Sequence, residues 1–376
     1  MSLTIAAAAQ EMKKKRFDSV GSAAGACASA LLRGARGNSG VILSLLFRGL
    51  AKAIKEKETI DGRDLALAGA DHYDVMMNAH LDTVFSDGTA AERPMSREGD
   101  HVKGPGCSDC KSGVLAIFYA LKNARKEDLE RLSVAVCLNP DKETGSASSH
   151  QWLSETAAKS TRALVFEAAR AGGELVRARK GRAAYRVVMH GVSAHAGNNP
   201  QDGRSAVLAA CRFALAADKL QDLKGAGTSV NVIIKKGGTV SNVVPDICEL
   251  EFDTRFWTNG ERERLDKNFA ALCEGDWGEG TRAELVKLAY LPAMPCTEKT
   301  RELVSQIEEA ARLEGVKIGW VDAGGGSDAN HIALAGTPVI DGVGPAGAGF
   351  HTDREYLRVD TVEERIRMIV RFLSLI

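Results

Sequence analysis

The 376-residue sequence lacks a net charge, a long apolar run and a cysteine framework. Lys plus Arg and Asp plus Glu are equal at 49 each, so no general field favours nucleic acid or an anionic membrane. No apolar stretch approaches the roughly 20 residues that cross a bilayer, and the start, Met1 to Thr4, does not have the pattern of a secretory signal. We therefore expect a cytoplasmic protein with no membrane or nucleic-acid partner.

The eight cysteines are scattered along the chain, several of them in apolar segments. This distribution is typical of free thiols in a reducing compartment. Cys107 and Cys110 form a Cys-x-x-Cys pair, but no second pair accompanies it, which argues against a structural zinc site there. With 44% hydrophobic and 26% charged residues, the composition is that of a globular protein long enough for two or more domains.

The residues from 73 to 113 combine a buried strand with side chains that bind metals. Val75, Met76 and Met77 lead into a His80-x-Asp82 pair, and side chains two residues apart in a strand share a face. The imidazole can bind a metal through one nitrogen while the carboxylate holds the other N–H. The pattern predicts a metal ligand at the end of this strand, although a lone His-x-Asp is also typical of a surface pair.

Acidic residues follow further predicted elements in the same way. Asp109 lies in a glycine-rich turn before a predicted helix, Glu143 follows an apolar strand at 132–138, and Glu167 ends another strand at 163–167. The carboxyl ends of parallel strands meet at one edge of a sheet. This layout therefore indicates a parallel α/β sheet with a site at that edge.

From residue 73 to the C-terminus, the sequence resembles the M20-type zinc metallopeptidases, the family of glutamate carboxypeptidase, acetylornithine deacetylase and succinyl-diaminopimelate desuccinylase. The resemblance implies a mixed, mostly parallel sheet sandwiched by helices, with an inserted α+β lid. It also implies two zinc ions per chain, with Co²⁺ or Mn²⁺ as alternatives, that share one aspartate. Matched motif by motif, the bridging ligand would be Asp109, and the remaining ligands would be His80, Glu143, Glu167 and His351, with Asp82 orienting His80.

One residue departs from the family pattern. The family reads Asp-Glu-Glu-x-Gly-Ser, in which the first Glu is the general base, whereas this chain has Lys142 between Asp141 and Glu143. A protonated lysine cannot accept a proton, and loss of a positioned general base typically lowers a rate by about 10²- to 10⁴-fold. A lysine deprotonated by burial and by the metals is the alternative.

Residues 179–290 alternate strands and amphipathic helices, which indicates an inserted α+β domain. By resemblance this is the lid and dimerisation domain, so a homodimer is expected. His195, in the motif Gly-Val-Ser-Ala-His-Ala-Gly, would reach the partner's active site and hydrogen-bond the substrate oxyanion. A histidine in a surface loop is the alternative.

Three further residues are implied as substrate contacts. Asn242 and Arg255 would hold the substrate's carboxylate, Arg255 through its fork of donors. A salt bridge of Arg255 with Asp253 or Glu251 is the alternative. Ser327, in a glycine-rich turn, would line the substrate pocket.

The first 70 residues fit this plan poorly. Helical patterns are present at 19–32 and 41–55, and residues 19–68 resemble part of a dihydroxyacetone-kinase-type nucleotide-binding domain. The Asp-rich loop that holds magnesium and phosphate in that family has no counterpart before Ser19. We therefore expect these helices to pack on the following domain, with a nucleotide-binding kinase fragment as the alternative.

The sequence predicts an N-terminal helical segment (1–70), a catalytic di-metal domain (71–178 and 291–376) and a lid (179–290). The predicted reaction is hydrolysis of a peptide or N-acyl amide bond in a small substrate with a free carboxylate, of carboxypeptidase or deacylase type. Because of Lys142, an impaired enzyme and a catalytically inactive metal-binding homologue both stay open.

Overall fold

The computed structural model describes residues 20–33 and 71–376. Its contacts divide the chain into two compact units. Unit 1 holds the described residues up to Arg177 with Thr297–Val321 and Ala335–Ile376, and unit 2 holds Ala178–Cys296 and Asp322–Leu334. Within the described residues, every helix is too short or too polar to cross a bilayer.

The strands, in chain order, are β1 Val75–His80, β2 Ser96–Glu98, β3 His101–Lys103, β4 Val134–Asn139, β5 Ala163–Val165, β6 Glu174–Arg179, β7 Gly181–His190, β8 Ser229–Gly237, β9 Ile247–Phe256, β10 Arg282–Leu291, β11 Gly319–Ala323, β12 Val339–Ile340, β13 Gly347–Ala348 and β14 Tyr356–Arg358. The helices are α1 Val20–Arg33, α2 Thr89–Glu92, α3 Ser112–Asn123, α4 Lys126–Arg131, α5 His150–Ala158, α6 Ala206–Asp218, α7 Asn259–Cys273, α8 Glu298–Leu313, α9 Asp328–Leu334 and α10 Asp360–Leu375. Helix α1 agrees with the helix predicted at 19–32, whereas the one predicted at 41–55 lies outside the described residues.

Unit 1 contains a parallel sheet with the strand order β12-β5-β1-β4. Strand β1 is central, pairs in parallel with β4 and β5, and is buried along its whole length. The register sets His80 beside Asn139, the last residue of β4. The turn after β4 and the residues after β5 therefore emerge at the same edge of the sheet as His80.

The period of two along β1 assigns its side chains to two buried faces. Val75, Met77 and Ala79 belong to one apolar cluster with residues of α3, α8 and α10. Members such as Phe372 are fully buried, and burial of a side chain of this size contributes about 1.5–3 kcal/mol to the free energy of unfolding. This packing fixes the strand that carries His80.

A small antiparallel sheet of unit 1 has the order β13-β14-β3-β2. Tyr356 at the start of β14 pairs with Lys103 at the end of β3. Glu355, one residue earlier, is thereby brought next to the loop that follows β3 and leads to Asp109.

Unit 2 contains an antiparallel sheet with the order β10-β7-β9-β8 and the helices α6 and α7. Alternate residues of β9 are buried, and Phe252 packs in one cluster with Phe213 of α6 and Phe269 of α7. Both helices begin at capping hydroxyls, Ser205 and Thr258, as their sequences favour. Strand β10 was not predicted, because this mostly exposed edge strand mixes charged and apolar residues without clear alternation.

Candidate metal centre

His80 is held at the end of β1 with 1% of its surface exposed. Its Nδ1 lies 3.1 Å from the backbone oxygen of Asp82 and 3.3 Å from Asp82 Oδ1. Its Nε2 points the other way and lies 2.9 Å from Asp109 Oδ1. The contacts at Nδ1 orient the ring and leave Nε2 facing Asp109, an arrangement in keeping with the His-x-Asp spacing.

Asp109 is carried by a tight turn, Cys107–Lys111, in which the Asp109–Cys110 peptide bond is cis. The buried carboxylate of Glu355 accepts hydrogen bonds from the backbone N–H groups of Gly106 (2.8 Å), Ser108 (2.9 Å) and Asp109 (3.0 Å). Gly106 has φ +68°, and a Cβ atom there would lie 2.4 Å from Thr83 Cγ2. Only glycine fits this turn, and Glu355 fixes the direction in which Asp109 projects.

The two carboxylate oxygens of Asp109 face two different histidines. Oδ1 lies 2.9 Å from His80 Nε2, and Oδ2 lies 3.1 Å from His351 Nε2. His351 Nε2 also lies 3.4 Å from Glu143 Oε2, and His80 Nε2 lies 3.6 Å from Glu167 Oε2. The structure thus brings all five predicted ligands together in unit 1 as two sets of donors that share Asp109.

The backbone fixes the positions of two of these residues, His351 and Glu143. His351 has φ +64°, a left-handed conformation that costs a non-glycine residue about 1–2 kcal/mol. The chain at Glu143 is held by Asp82, which accepts hydrogen bonds from the N–H groups of Lys142 (3.2 Å) and Glu143 (2.8 Å). Asp82 therefore orients the imidazole of His80 and also the turn that carries Lys142 and Glu143.

Lys142 extends into the middle of the carboxylates. Its Nζ lies 3.1 Å from Glu143 Oε1, 3.2 Å from Glu167 Oε1 and 3.6 Å from Asp109 Oδ1. Burial would lower the pKa of this amine, but the charges of Glu167, Asp109 and Glu143 raise it well above its ordinary value. These contacts pair the amine of Lys142 with three carboxylates, which favours its charged form.

The surrounding groups respond to the same charges. Burial would raise the pKa of Asp109, but hydrogen bonds with His351 and His80 and the charge of Lys142 hold it far below its ordinary value. For Glu143, burial outweighs the nearby lysine and raises the pKa. The pKa of His351 is raised, chiefly by its hydrogen bond with Asp109. The cluster is thus strongly charged, and it is largely withdrawn from water except at His351, whose side chain is 52% exposed.

The donor atoms fit a divalent metal. One donor atom each of His80, Asp109 and Glu143 lie within 4.8 Å of one another, and imidazole nitrogen with carboxylate oxygen is a usual ligand set for zinc. Glu167 Oε1 is buried without a hydrogen bond, although Lys142 Nζ faces it.

Cys110 lies beside His80 and Glu167, but burial strongly raises the pKa of its thiol, which donates to the Phe166 carbonyl oxygen (3.0 Å). These properties agree with the expectation from the sequence that the Cys107-x-x-Cys110 pair is not a zinc site.

The predicted substrate contacts, His195, Asn242, Arg255 and Ser327, belong to unit 2. The loops of His195 and Asn242 are adjacent, since the N–H of Ala196 donates to the Asn242 carbonyl oxygen at 2.9 Å. Arg255 Nε lies 2.7 Å from Asp253 Oδ1, which is the ion pair considered as the alternative. The hydroxyl oxygen of Ser327 accepts the N–H of Ala329 at the start of α9.

The family model described as "Peptidase family M20/M25/M40" matches residues 76–375. The chain belongs to this M20 family. The resemblance inferred from the motifs is therefore confirmed, and M20 membership makes the chain a metallohydrolase of peptidase or deacylase type, in a family that uses divalent metal ions.

Two relatives and one solved structure illustrate the similarity. Carboxypeptidase G2 of Pseudomonas sp. (strain RS-16) is 30% identical over 303 residues, which covers 80% of this chain and 73% of that protein. Succinyl-diaminopimelate desuccinylase of Delftia acidovorans is 27% identical over 284 residues, covering 72% of each. The crystal structure of the aminopeptidase PepT from Bacillus cereus superposes with a TM-score of 0.67 at 22% identity and covers 81% of each chain. The α/β fold with an M20 architecture is confirmed.

A second family model, the DAK2 domain, matches residues 1–84. It agrees with the kinase-type resemblance seen from the sequence. Apart from α1 and the residues from 71 onward, this match lies outside the described residues.

Proposed function

We propose that this M20 protein hydrolyses the amide bond of a small peptide or N-acyl amino acid that carries a free carboxylate. The observation that supports this is the position of Asp109, with one oxygen toward His80 and the other toward His351. With Glu167 and Glu143 they form two sets of donors for zinc, with Co²⁺ or Mn²⁺ as alternatives. A metal bound by such a set polarises the amide carbonyl and acidifies water.

The chain's own residues position this chemistry. Asp82 orients His80 and the turn of Glu143, and Glu355 fixes Asp109. Lys142 occupies the place of the family's general base but carries its proton, so it cannot accept another one. We therefore propose a low rate of hydrolysis in the native chain.

Substrate recognition is assigned to unit 2. His195 Nδ1 accepts the N–H groups of Gly197 and Asn198, both at 3.1 Å, so the ring proton resides on Nε2. Nε2 is then a donor suited to a developing oxyanion. Asn242, Arg255 and Ser327 are proposed contacts for the rest of the substrate.

A homodimer through unit 2 is also proposed. Strand β8 is an edge strand, and its Ile233 and Ile234 are 47% and 60% exposed. An exposed apolar edge is a typical surface for pairing with another chain.

The second candidate is a metal-binding homologue without turnover, which the charge of Lys142 favours. Turnover by the native chain decides between them, and the rate of Lys142→Glu tests the general-base assignment. With the metal-loaded protein and a panel of N-acyl amino acids and C-terminal amino-acid amides, we expect Lys142→Glu to raise the rate by about 10²- to 10⁴-fold. The control, Lys299→Glu, makes the same charge change at an exposed position in the first turn of α8 and should leave the rate unchanged.

An unchanged rate in Lys142→Glu would refute the general-base assignment. Absence of turnover in both the native chain and Lys142→Glu would favour the inactive homologue. A nucleotide-binding kinase fragment instead requires ATP binding by the N-terminal region, and a flat ATP titration would exclude it.

A further inference from the structure

Lys142 contacts the two sets of donors unequally. Its Nζ faces Asp109 Oδ1 at 3.6 Å and Glu143 Oε1 at 3.1 Å. These are the oxygens on the side of His80, whose Nε2 lies 2.9 Å from Asp109 Oδ1 and 3.9 Å from Glu143 Oε1. The ammonium group therefore lies against the oxygens of the set that contains His80.

The set that contains His351 uses the opposite oxygens. His351 Nε2 lies 3.1 Å from Asp109 Oδ2 and 3.4 Å from Glu143 Oε2. The shortest contacts of Lys142 Nζ with these two residues are to the other oxygen of each carboxylate, Asp109 Oδ1 and Glu143 Oε1. A cation near His351 would therefore use the oxygens that lie farther from the lysine.

Glu167 belongs to the His80 set and is engaged in the same way. Its Oε1 faces Lys142 Nζ at 3.2 Å, while its Oε2 lies 3.6 Å from His80 Nε2. The lysine thus contacts each acidic residue that a metal beside His80 would use. Only 11% of the lysine side chain is exposed, so water screens this charge poorly.

The charges of the five proposed ligands and Lys142, without that of Asp82 beside His80, balance with one divalent ion. Asp109, Glu143 and Glu167 carry three negative charges, and Lys142 carries one positive charge, with both imidazoles neutral as metal binding requires. The net charge of minus two is neutralised by one dication. A second dication would add an excess positive charge beside a buried ammonium group, which is unfavourable.

We propose that the ammonium group of Lys142 takes the place of one metal ion, so that the chain holds a single divalent ion in the set formed by His351, Asp109 and Glu143. The set beside His80 then binds a second ion only weakly. This inference rests on the proposed function, because it uses the same ligands. It assigns Lys142 a role as a tethered cation in addition to the loss of a general base.

The position of Lys142 is fixed by the backbone. Asp82 accepts the N–H groups of Lys142 and Glu143, and these two residues begin the short 3₁₀ turn Lys142–Thr144. The lysine is therefore held next to its neighbour Glu143 in the cluster rather than swinging into solvent. A residue of similar length without charge should leave this turn intact and open the His80 set.

The test is the metal stoichiometry of the full chain. Metal-free protein is titrated with Co²⁺ by calorimetry, the bound metal is counted by mass spectrometry after dialysis, and the visible absorption of Co²⁺ reports each site independently of activity. We expect one tightly bound ion in the native chain and in Lys142→Arg, and two in Lys142→Met. The second ion should bind at least about 10²-fold more tightly in Lys142→Met. The repulsion between two positive charges about 4 Å apart in a protein corresponds to several tenfold steps in the dissociation constant.

Histidine variants locate the ion. His351→Asn should abolish binding of the single ion, whereas His80→Asn should retain it; far-UV circular dichroism and thermal melting establish that each variant is folded. Three results would each overturn the inference while leaving a metal site in place. They are two equally tight ions in the native chain, one ion in Lys142→Met, or loss of the ion in His80→Asn alone. Failure of every variant to bind a divalent ion would instead remove the proposed function.

Discussion

Replacement of Glu355 by glutamine should destabilise unit 1 without removing any proposed ligand. Glu355 Oε1 accepts the N–H groups of Ser108 and Asp109, and Oε2 accepts that of Gly106. In Glu355→Gln, the amide oxygen can replace only one of the two carboxylate oxygens as an acceptor. The NH₂ group then takes the place of the other oxygen and faces a backbone N–H. One buried N–H group loses its acceptor, at about 1–3 kcal/mol, and the other two bonds weaken by about 1 kcal/mol each without the carboxylate charge. We expect the free energy of unfolding to fall by about 3–5 kcal/mol.

Urea denaturation followed by tryptophan fluorescence measures this change. The matched control is Glu155→Gln, an exposed position on α5 where the same chemical change should alter the free energy of unfolding by less than about 0.5 kcal/mol. A typical domain is stable by about 5–15 kcal/mol, so Glu355→Gln should still fold. A variant as stable as the control would refute the view that Glu355 anchors the Asp109 loop.

Two further predictions concern the same centre. Asp82→Asn should lower the affinity for metal about 10- to 100-fold, because its NH₂ group must face a ring or backbone N–H at His80, Lys142 or Glu143. Calorimetric titration with Zn²⁺ measures this affinity, and Asp87→Asn, at an exposed position, is the control. Equal affinities in the two variants would count against the orienting role of Asp82. Removal of metal with a chelator should lower the melting temperature, and zinc restored at about 100 times its dissociation constant should return about 2.7 kcal/mol of stability; a melting temperature indifferent to both treatments would contradict metal binding by the folded state.

Much of the fold was predictable, because hydrophobic periodicity along the chain indicates where strands and helices form. The strands predicted at 132–138 and 163–167 are found as Val134–Asn139 and Ala163–Val165, and the helix predicted at 19–32 is found as Val20–Arg33. Strand β10 was missed, because an exposed edge strand needs no apolar face and so leaves a weak periodic signal.

The amino-acid order by itself determined which donors are available and which of them end strands. It placed His80 and Asp82 after an apolar run and exposed Lys142 as a departure from the family motif. These are local properties, set by side-chain alternation and by residue identity.

Tertiary structure alone decided which atoms meet. Asp109 and His351 are 242 residues apart in sequence, yet Asp109 Oδ2 faces His351 and Oδ1 faces His80. The side on which Lys142 enters the cluster depends on the turn held by Asp82, and the reach of Glu355 depends on the pairing of β14 with β3. Such contacts follow from the packing of distant segments on a common sheet, because no local pattern specifies a distance between side chains so far apart in the chain.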